Sequence, residues 1–321
     1  MIPRYGVSEA PLEPLRGLRV TVFGYGNQGR AQSLNLRDSG VDVRVALRDG
    51  SASADAARGE GLTVTGLEEG ARAAHLAALL VPDEAMPELV RGLAGAWAPG
   101  CVFVLAHAYN LVFAGLDLPP GAKTACVAPA GPGSLVRSRF TEGLGVTAFL
   151  ALSDPADAGL RALGLAYAAA IGCARAGVLE CTARQEAEVD LFGEQAVLCG
   201  GLTSLVGTAF DTLLDAGYPP EMAYLECVHQ VNLTAQLIHD GGVEGMRDRI
   251  SPTALFGDLT RSPRIAAALR PVFAALLDEI RDGRFSRHRD AVAADGPARM
   301  KTLRAAARHR DMAATREKLG L

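Results

Sequence analysis

The chain has 321 residues, of which 49% are hydrophobic and 21% charged, a composition that fills ordinary globular cores and excludes disorder as the default state. Its formal net charge of −4 excludes a general electrostatic affinity for nucleic acid or acidic lipid. Small molecules are therefore the expected partners.

Targeting signals and cysteine usage indicate a compartment. The N-terminus lacks the apolar run of a signal peptide, and no stretch approaches the roughly 20 uninterrupted apolar residues that span a bilayer. The six cysteines form no C-x-x-C pair and mostly lie in apolar runs. These features predict a cytoplasmic protein with free, mostly buried thiols.

Strand-like and helix-like segments alternate from Leu18 to about Ser153. LRVTVFG, VDVRVAL, AHLAALLV and CVFVLAH are short apolar runs separated by helix-length segments. This alternation is typical of a parallel sheet with helices on both faces. KTACVAPAGPG and LGVTAFLALS continue the rhythm, and we predict an α/β dinucleotide-binding domain over residues 1–181.

The remainder of the chain has a different pattern of apolar residues. From Glu180 to Leu321 nearly every segment has helical periodicity and few β-branched runs. We predict a second, all-helical domain over residues 182–321, with the change near GVLECTARQE.

A glycine motif follows the first predicted strand. Gly24, Gly26 and Gly29 have G-x-G-x-x-G spacing between an apolar strand and a helix. Glycines there permit a tight turn and let backbone N–H groups approach a pyrophosphate at the positive end of a helix. The motif alone could merely close a turn, but this context favours a dinucleotide site.

The end of the next strand bears on the cofactor. Arg48, Ser51 and Ser53 suit the 2′-phosphate of NADP, whereas Asp49 would repel it and favour NAD. The residues favour NADP but leave both cofactors open.

Two pairs of polar residues have helical spacing. Asp190 and Glu194 are four residues apart, as are Glu226 and Gln230 in LECVHQ, a segment that reads as a packed core helix. Such pairs on facing helices could hold Mg²⁺, which prefers oxygen ligands. The alternative is that they lie on exposed helix faces, although their neighbours are apolar.

The motifs together resemble those of ketol-acid reductoisomerase, in its short-chain form. GYGNQG, LRDGSAS, PDE, AHAYN, APAGPGSLVR, DLFGEQAVLCGGL, ECVHQ and ISPTALFGD occur in that family's order and spacing from Leu18 to about Asp258. The chain also looks like divergent relatives in specialised metabolism to which cyclopropanol formation is attributed.

The resemblance implies a Rossmann domain, a knotted helical domain, and a homodimer or larger assembly with a shared active site. It implies two Mg²⁺ ions at Asp190, Glu194, Glu226 and Gln230, a substrate contact at Ser251, and an active-site histidine at His107. The cofactor contacts that it implies, with the glycine motif, are Gly24, Tyr25, Gly26, Asn27, Gln28, Gly29, Arg48, Ser51, Ser53, Asp83, Met86 and Gly133.

The sequence departs from the family pattern at chemically sensitive positions. Ala130 in APAGPG stands where the family has a lysine, and Gln230 stands where it has a fourth metal-binding glutamate. Ser134 replaces a histidine and Ala108 a glycine. The first two changes remove one positive and one negative group, so we expect the second Mg²⁺ to bind weakly and the alkyl migration to suffer most.

The retained motifs favour a repurposed enzyme over a dead one. We hypothesise a redox-neutral closure of a cyclopropanol on a sulfonium-bearing 2,3-dihydroxy acid, because a lysine would repel a sulfonium leaving group. Alternatives are a reductoisomerase of branched-chain amino acid synthesis, a metal-free reductase, and a non-catalytic dinucleotide-binding protein.

Overall fold

A computed structural model of the protein describes residues 2–307, 309–310 and 312–321. The described chain divides into two compact units, the first ending at Ala187 and the second beginning at Glu188. The predicted domain boundary after Cys181 stays a prediction; it falls two residues before the helix that contains the division.

The first unit is built on one nine-stranded sheet. Its strands are β1 (Arg4–Tyr5), β2 (Arg19–Phe23), β3 (Asp42–Leu47), β4 (Thr63–Gly66), β5 (Leu76–Leu79), β6 (Val102–Leu105), β7 (Lys123–Pro129), β8 (Ala148–Leu152) and β9 (Val178–Cys181). Their spatial order is β1-β9-β8-β7-β6-β5-β2-β3-β4. The order reverses between β2 and β5, and ligands of such sheets bind where the order reverses, at the carboxyl ends of the strands.

The helices of this unit join successive strands. They are α1 (Asn27–Asp38), α2 (Ser53–Gly59), α3 (Leu67–Ala73), α4 (Met86–Gly92), α5 (Gly133–Thr141) and α6 (Ala158–Ala170), with a π-helical segment at Asn110–Ala114 and 3₁₀ segments at Val7–Glu9, Glu13–Leu15 and Cys173–Arg175. One core cluster includes Val20, Val22 and Val45, and another includes Phe23, Trp97 and Phe103. Because successive strand side chains point to opposite faces, Val22 and Phe23 belong to different clusters.

The second unit is entirely helical over its described residues, as predicted. Its helices are α7 (Ala183–Gly193, which begins in the first unit), α8 (Gly200–Asp215), α9 (Pro220–Tyr224), α10 (Gln230–Arg247), α11 (Pro252–Arg281), α12 (Arg284–Ala294), α13 (Pro297–Ala306) and α14 (Met312–Leu319). Two π turns, Glu194–Leu198 and Leu225–His229, link α7 to α8 and α9 to α10. The knot stays a prediction.

Two features of the sheet differ from the sequence-based expectation. The segment between VDVRVAL and AHLAALLV was expected to be one helix but contains β4 between α2 and α3. The β8 strand runs antiparallel to β7 instead of continuing the parallel pattern. Both are short apolar runs, and periodicity cannot give the direction or the pairing of such a strand.

One helical stretch of the described chain, Ala183–Asp215, is long and apolar enough to cross a membrane by length and composition alone. Only 11% of its most apolar window is buried within the chain. The apolar residues of this stretch are therefore not explained by burial in the core of their own unit.

Candidate active site

The glycine motif forms a tight turn between β2 and α1. Gly24 has φ of +100°, and a Cβ added there would lie 2.6 Å from the carbonyl oxygen of Leu80. A Cβ on Gly29 would lie 2.4 Å from the carbonyl oxygen of Gly24, whereas space is open in front of Gly26. Gly26 also caps α1 without a side-chain hydrogen bond. The open N-terminus of α1 therefore fits an anionic pyrophosphate.

Tyr25, within this glycine turn, connects the turn to the core and to α2. Its ring is buried in the core, and its hydroxyl donates a 2.6 Å hydrogen bond to Glu60 Oε2. Glu60 caps the end of α2 and also accepts from Arg30 Nε at 2.9 Å. Arg30 holds the pKa of Glu60 below its ordinary value, and burial raises that of Tyr25. The hydroxyl of Tyr25 is hydrogen-bonded to Glu60. The contact predicted between Tyr25 and a dinucleotide would therefore be made by its backbone.

Asn27 and Gln28 join the glycine turn to the loop that follows β7. Asn27 Oδ1 accepts from the N–H of Ser134 at 3.1 Å, and Gln28 Nε2 donates to the carbonyl of Gly131 at 3.0 Å. A Cβ on Gly133 would lie only 2.1 Å from the carbonyl oxygen of Asn27. Gly133 is therefore required by close backbone packing, and the loop bearing Ala130 is fixed to the nucleotide turn.

A cavity of about 410 Å³ lies beyond β3, where an adenosine ribose would be expected. Arg48 and Ser51 line it, as predicted for a cofactor contact, while Ser53 starts α2 and is not among its lining residues. Three carboxylates and two guanidinium groups line this cavity, those of Asp49, Asp55, Glu69, Arg48 and Arg58. The cavity thus mixes groups that attract a 2′-phosphate with groups that repel it.

Asp83 and Met86 lie after β5, where the sheet order reverses. Asn110 Nδ2 donates to Asp83 Oδ1 at 2.9 Å and lies 3.6 Å from the sulfur of Met86, which is buried in the core. Asp83 and Met86 therefore shape this loop through Asn110, a connection that no sequence pattern indicated.

His107 follows β6 and is held by a buried carboxylate. Its Nδ1 lies 3.2 Å from Oε1 of Glu186, whose other oxygen accepts from the N–H of Ala108 at 2.7 Å. The Glu186 side chain is only 2% exposed, against 23% for His107. A carboxylate at Nδ1 favours the tautomer with a proton on that nitrogen. No motif indicated this role for Glu186; its place four residues before Asp190, on the same face of α7, was the available signal.

Ala130 is exposed directly after β7, and the nearest basic residues along the chain, Lys123 and Arg137, both pair with other groups. Lys123 lies at the other end of β7, where it forms a 2.6 Å ion pair with Asp157. Arg137, the next basic residue after Ala130, pairs with Asp38 at 2.7 Å and with Asn35 Oδ1 at 2.8 Å. The positive group has been lost from this loop, and its two sequence neighbours do not replace it.

Asp190 lies on the last turn of α7, and Glu194 directly follows that helix. The helix starts with a capping box, in which Thr182 Oγ1 accepts from Gln185 N–H and Gln185 Oε1 accepts from Thr182 N–H. Both acids are exposed within the chain, and Glu194 is the first residue of the π turn.

Glu226 and Gln230 lie at the second π turn, and both are exposed. The expectation that LECVHQ is packed in the core of its own chain is therefore wrong: its apolar neighbour Leu225 is also exposed. Apolar composition indicates burial but does not say by which chain.

Ser251 is the N-cap of the 30-residue helix α11, where its Oγ accepts from the N–H of Ala254 at 3.2 Å. Its hydroxyl proton remains available to a ligand at the positive end of the helix.

The donor chemistry of the four polar positions suits a hard cation, because carboxylate and amide oxygens are its preferred ligands. Over the described residues, the chain brings together no group of three or more His, Cys, Asp or Glu side chains that could hold a metal ion. Asp190 and Glu194 offer oxygen ligands of the kind such a cation prefers.

Comparisons with known proteins decide the family. Residues 14–177 match the model for the NADPH-binding domain of acetohydroxy acid isomeroreductase, and residues 184–320 match the C-terminal domain of ketol-acid reductoisomerase. The chain belongs to the ketol-acid reductoisomerase family. It is therefore related to NAD(P)-dependent enzymes that act on small molecules, as the motifs predicted.

Solved structures agree with this assignment. An NADH-preferring ketol-acid reductoisomerase from an uncultured archaeon has 30% sequence identity and a TM-score of 0.92, with 99% of this chain and 98% of that chain covered. The NAD-binding semialdehyde dehydrogenase protein from Cupriavidus necator has 19% identity, a TM-score of 0.61, and 83% and 99% coverage. A pyrroline-5-carboxylate reductase from Coxiella burnetii has 16% identity, a TM-score of 0.57, and 83% and 98% coverage. The last two share the fold alone.

The family assignment confirms the predicted fold class of a Rossmann domain followed by a helical domain. The chain's own glycine turn and the cavity beyond β3 fit NADP or NAD. Together with the match to an NADPH-binding domain, they confirm the predicted cofactor class.

Proposed function

We propose that this chain is a divergent ketol-acid reductoisomerase-like enzyme that closes a cyclopropanol ring on a sulfonium-bearing 2,3-dihydroxy acid, using NAD(P) and Mg²⁺. The loss of the positive group at Ala130 carries the proposal, since Lys123 and Arg137 are both committed to ion pairs elsewhere. A pocket without that cation can accept a cationic leaving group, which a lysine would repel.

The reaction is a net intramolecular substitution. In a 5-sulfonio-2,3-dihydroxypentanoate, the C3–H and C5–S bonds break and a C3–C5 bond forms. The C3 proton leaves to base, and the C5–S electron pair leaves with the neutral sulfide. C2 is transiently a ketone, which makes the C3 proton acidic, and it ends at its starting oxidation state.

The bound cofactors supply two capabilities: hydride exchange at C2 from the dinucleotide and polarisation of the substrate oxygens by the divalent ion. The chain's own residues hold and orient the reactants. Gly26 and the N-terminus of α1 would hold the pyrophosphate, and Asp190, Glu194, Glu226 and Gln230 would supply oxygen ligands. Ser251, at the start of α11, would donate to the substrate carboxylate.

His107 is the proposed proton acceptor. Glu186 contacts Nδ1 and orients the ring, and we assign proton transfer with the substrate to this imidazole. Ala130, in place of a lysine, would leave space and no positive charge beside the sulfonium group.

A homodimer is part of the proposal, because the helical unit exposes several large apolar side chains. Leu198, Leu205 and Phe256 are 65%, 58% and 65% exposed. They lie in the same unit as Asp190, Glu194, Glu226 and Gln230. A second copy of the chain would cover this surface and could contribute ligands to the proposed metal site. A cytoplasmic location also remains a proposal; it agrees with six free cysteines, although Cys199 is exposed and not buried as expected.

The proposal is tested with the intact protein, Mg²⁺, a trace of NAD(P)⁺ and 5-dimethylsulfonio-2,3-dihydroxypentanoate. Dimethyl sulfide should accumulate over many turnovers per cofactor, deuterium at C3 should be lost to solvent, and deuterium at C2 should be retained. The Ala130→Lys variant should release sulfide at least about tenfold more slowly, since it restores a repelling charge. No sulfide release by the unsubstituted protein would refute the proposed reaction.

The retained His107–Glu186 pair and the spaced carboxylates favour a second candidate, a reductoisomerase of branched-chain amino acid synthesis. Turnover of 2-acetolactate with NADPH and Mg²⁺ would support it. We expect little or no isomerisation by the natural sequence, and a gain in the double variant Ala130→Lys/Gln230→Glu.

A further inference from the structure

The connection between α7 and α8 contains an extra residue. The helix continues from Ala183 to Asp215 through the π turn at Glu194–Leu198, in which the N–H of Cys199 donates to the carbonyl of Glu194 at 2.8 Å. The turn therefore begins on one of the proposed metal ligands. Such turns occur frequently at functional sites.

Two glycines make this turn possible. A Cβ on Gly200 would lie 2.3 Å from the carbonyl oxygen of Gln195, and a Cβ on Gly201 would lie 2.0 Å from that of Ala196. Both obstacles are main-chain atoms five residues earlier, so no side chain can move aside. At the corresponding positions after the second π turn lie Val231 and Asn232, which shows that π turns in general do not need glycine.

The extra residue sets the direction of the acidic pair. Successive residues of an α-helix are about 100° apart around its axis. Without the π turn, the face of α7 that bears Asp190 and Glu194 would turn by about this angle relative to α8. The angle around the helix axis between the two carboxylates and the apolar face of α8, where Leu202 and Leu205 are exposed, would then change.

We infer that Gly200 and Gly201 are positioning residues: they preserve the π turn that sets the direction of Asp190 and Glu194 relative to the apolar face of α8. The inference rests on the metal-binding role proposed for those acids. Gly201→Ala should force the turn towards regular α geometry, because its methyl group and the Ala196 carbonyl cannot coexist.

The test is Mg²⁺ binding by calorimetry on the full-length protein with NADP⁺ present. Gly201→Ala should weaken Mg²⁺ binding by about 10-fold to 100-fold, as changes in the groups that orient metal ligands do. Gly193→Ala is the matched control on α7, since open space surrounds an added Cβ there; its Mg²⁺ affinity should stay within about twofold. Hydrogen exchange at Cys199 should change in the first variant only.

A double variant covers the case in which Gly201→Ala does not fold. Deleting Val197 from Gly201→Ala removes the extra residue, so the clash disappears and a regular helix should form, still with weakened Mg²⁺ binding. A folded variant of either kind that binds Mg²⁺ like the unsubstituted protein overturns the positioning role alone. If the unsubstituted protein binds no Mg²⁺, the proposed metal role fails, and the positioning role fails with it.

Discussion

At the scale of single residues, the site depends on groups that orient others. Glu186 holds both His107 and the backbone N–H of Ala108, and Asn27 and Gln28 fix the loop that carries Ala130. Motif comparison identifies the residues that would meet ligands. It named Asn27 and Gln28 as cofactor contacts but did not indicate that they hold this loop, and it gave Glu186 no role, because these contacts join distant parts of the chain.

Glu186→Gln should lower turnover by at least about tenfold with little change in dinucleotide affinity. The amide would direct an N–H₂ group at either His107 Nδ1 or the Ala108 N–H, each of which now faces a carboxylate oxygen. Steady-state kinetics and dinucleotide titration would measure this. Glu188→Gln is the matched control, because Glu188 lies two residues on and faces Arg281 at 3.6 Å. Equal activity in the two variants would contradict a role for Glu186.

Arg48→Ala should reduce NADP(H) affinity about tenfold and NAD(H) affinity much less, since a charge-assisted hydrogen bond to a phosphate contributes about 1.5–3 kcal/mol. Fluorescence titration with both nucleotides would measure the ratio. Arg58→Ala, which removes a guanidinium of the same cavity already paired with Asp55 at 3.1 Å, should have a smaller effect. If Arg48→Ala leaves the ratio of NADP(H) affinity to NAD(H) affinity unchanged, Arg48 does not bind the 2′-phosphate.

At the scale of elements, helix ends and turns set the geometry. Glu60 ties the end of α2 to the glycine turn through Tyr25 and Arg30. Arg30 holds the pKa of Glu60 low, so this carboxylate stabilises the fold at pH values above its ordinary pKa of 4.5.

That stabilisation should be lost as the pH falls below about 4.5 towards the lowered pKa of the folded state, because protonation removes the charge that Arg30 binds. Thermal unfolding of Glu60→Gln should show a lower midpoint than the unsubstituted protein at pH 7, and the difference should narrow at pH 4. Tyr25→Phe removes one hydrogen bond without removing the carboxylate, so its effect should vary less with pH. A difference that is constant with pH would argue against the ion pair.

Two N-caps separate stability from ligand binding. Ser251→Ala and Thr182→Ala should each cost about 1 kcal/mol of unfolding free energy, since each cap accepts from a first-turn N–H. Only Ser251→Ala should also weaken binding of the hydroxy acid. Chemical unfolding and substrate titration measure the two effects, and equal substrate affinity in both variants would remove the proposed contact at Ser251.

At the scale of the whole molecule, the helical unit's exposed apolar surface predicts self-association. Phe256→Asp should yield monomers in light scattering and abolish tight Mg²⁺ binding, because the proposed site needs a second copy. Leu144→Asp is the control, since Leu144 is also exposed but belongs to the first unit. A Phe256→Asp monomer that still binds Mg²⁺ tightly would show that one chain suffices.

The sequence by itself determined the alternation of strands and helices, the helical second half, the glycine turn and the family, because these depend on local periodicity and short motifs. The direction of β8, the existence of β4, the Glu186–His107 and Tyr25–Glu60 contacts, and the π turns appeared only in the tertiary structure. The strands and the two side-chain contacts depend on pairing or packing between residues distant in sequence, whereas each π turn depends on one extra residue within a helix, which apolar periodicity does not reveal. Apolar spacing likewise predicted that LECVHQ is covered, but the structure shows that its own chain does not cover it.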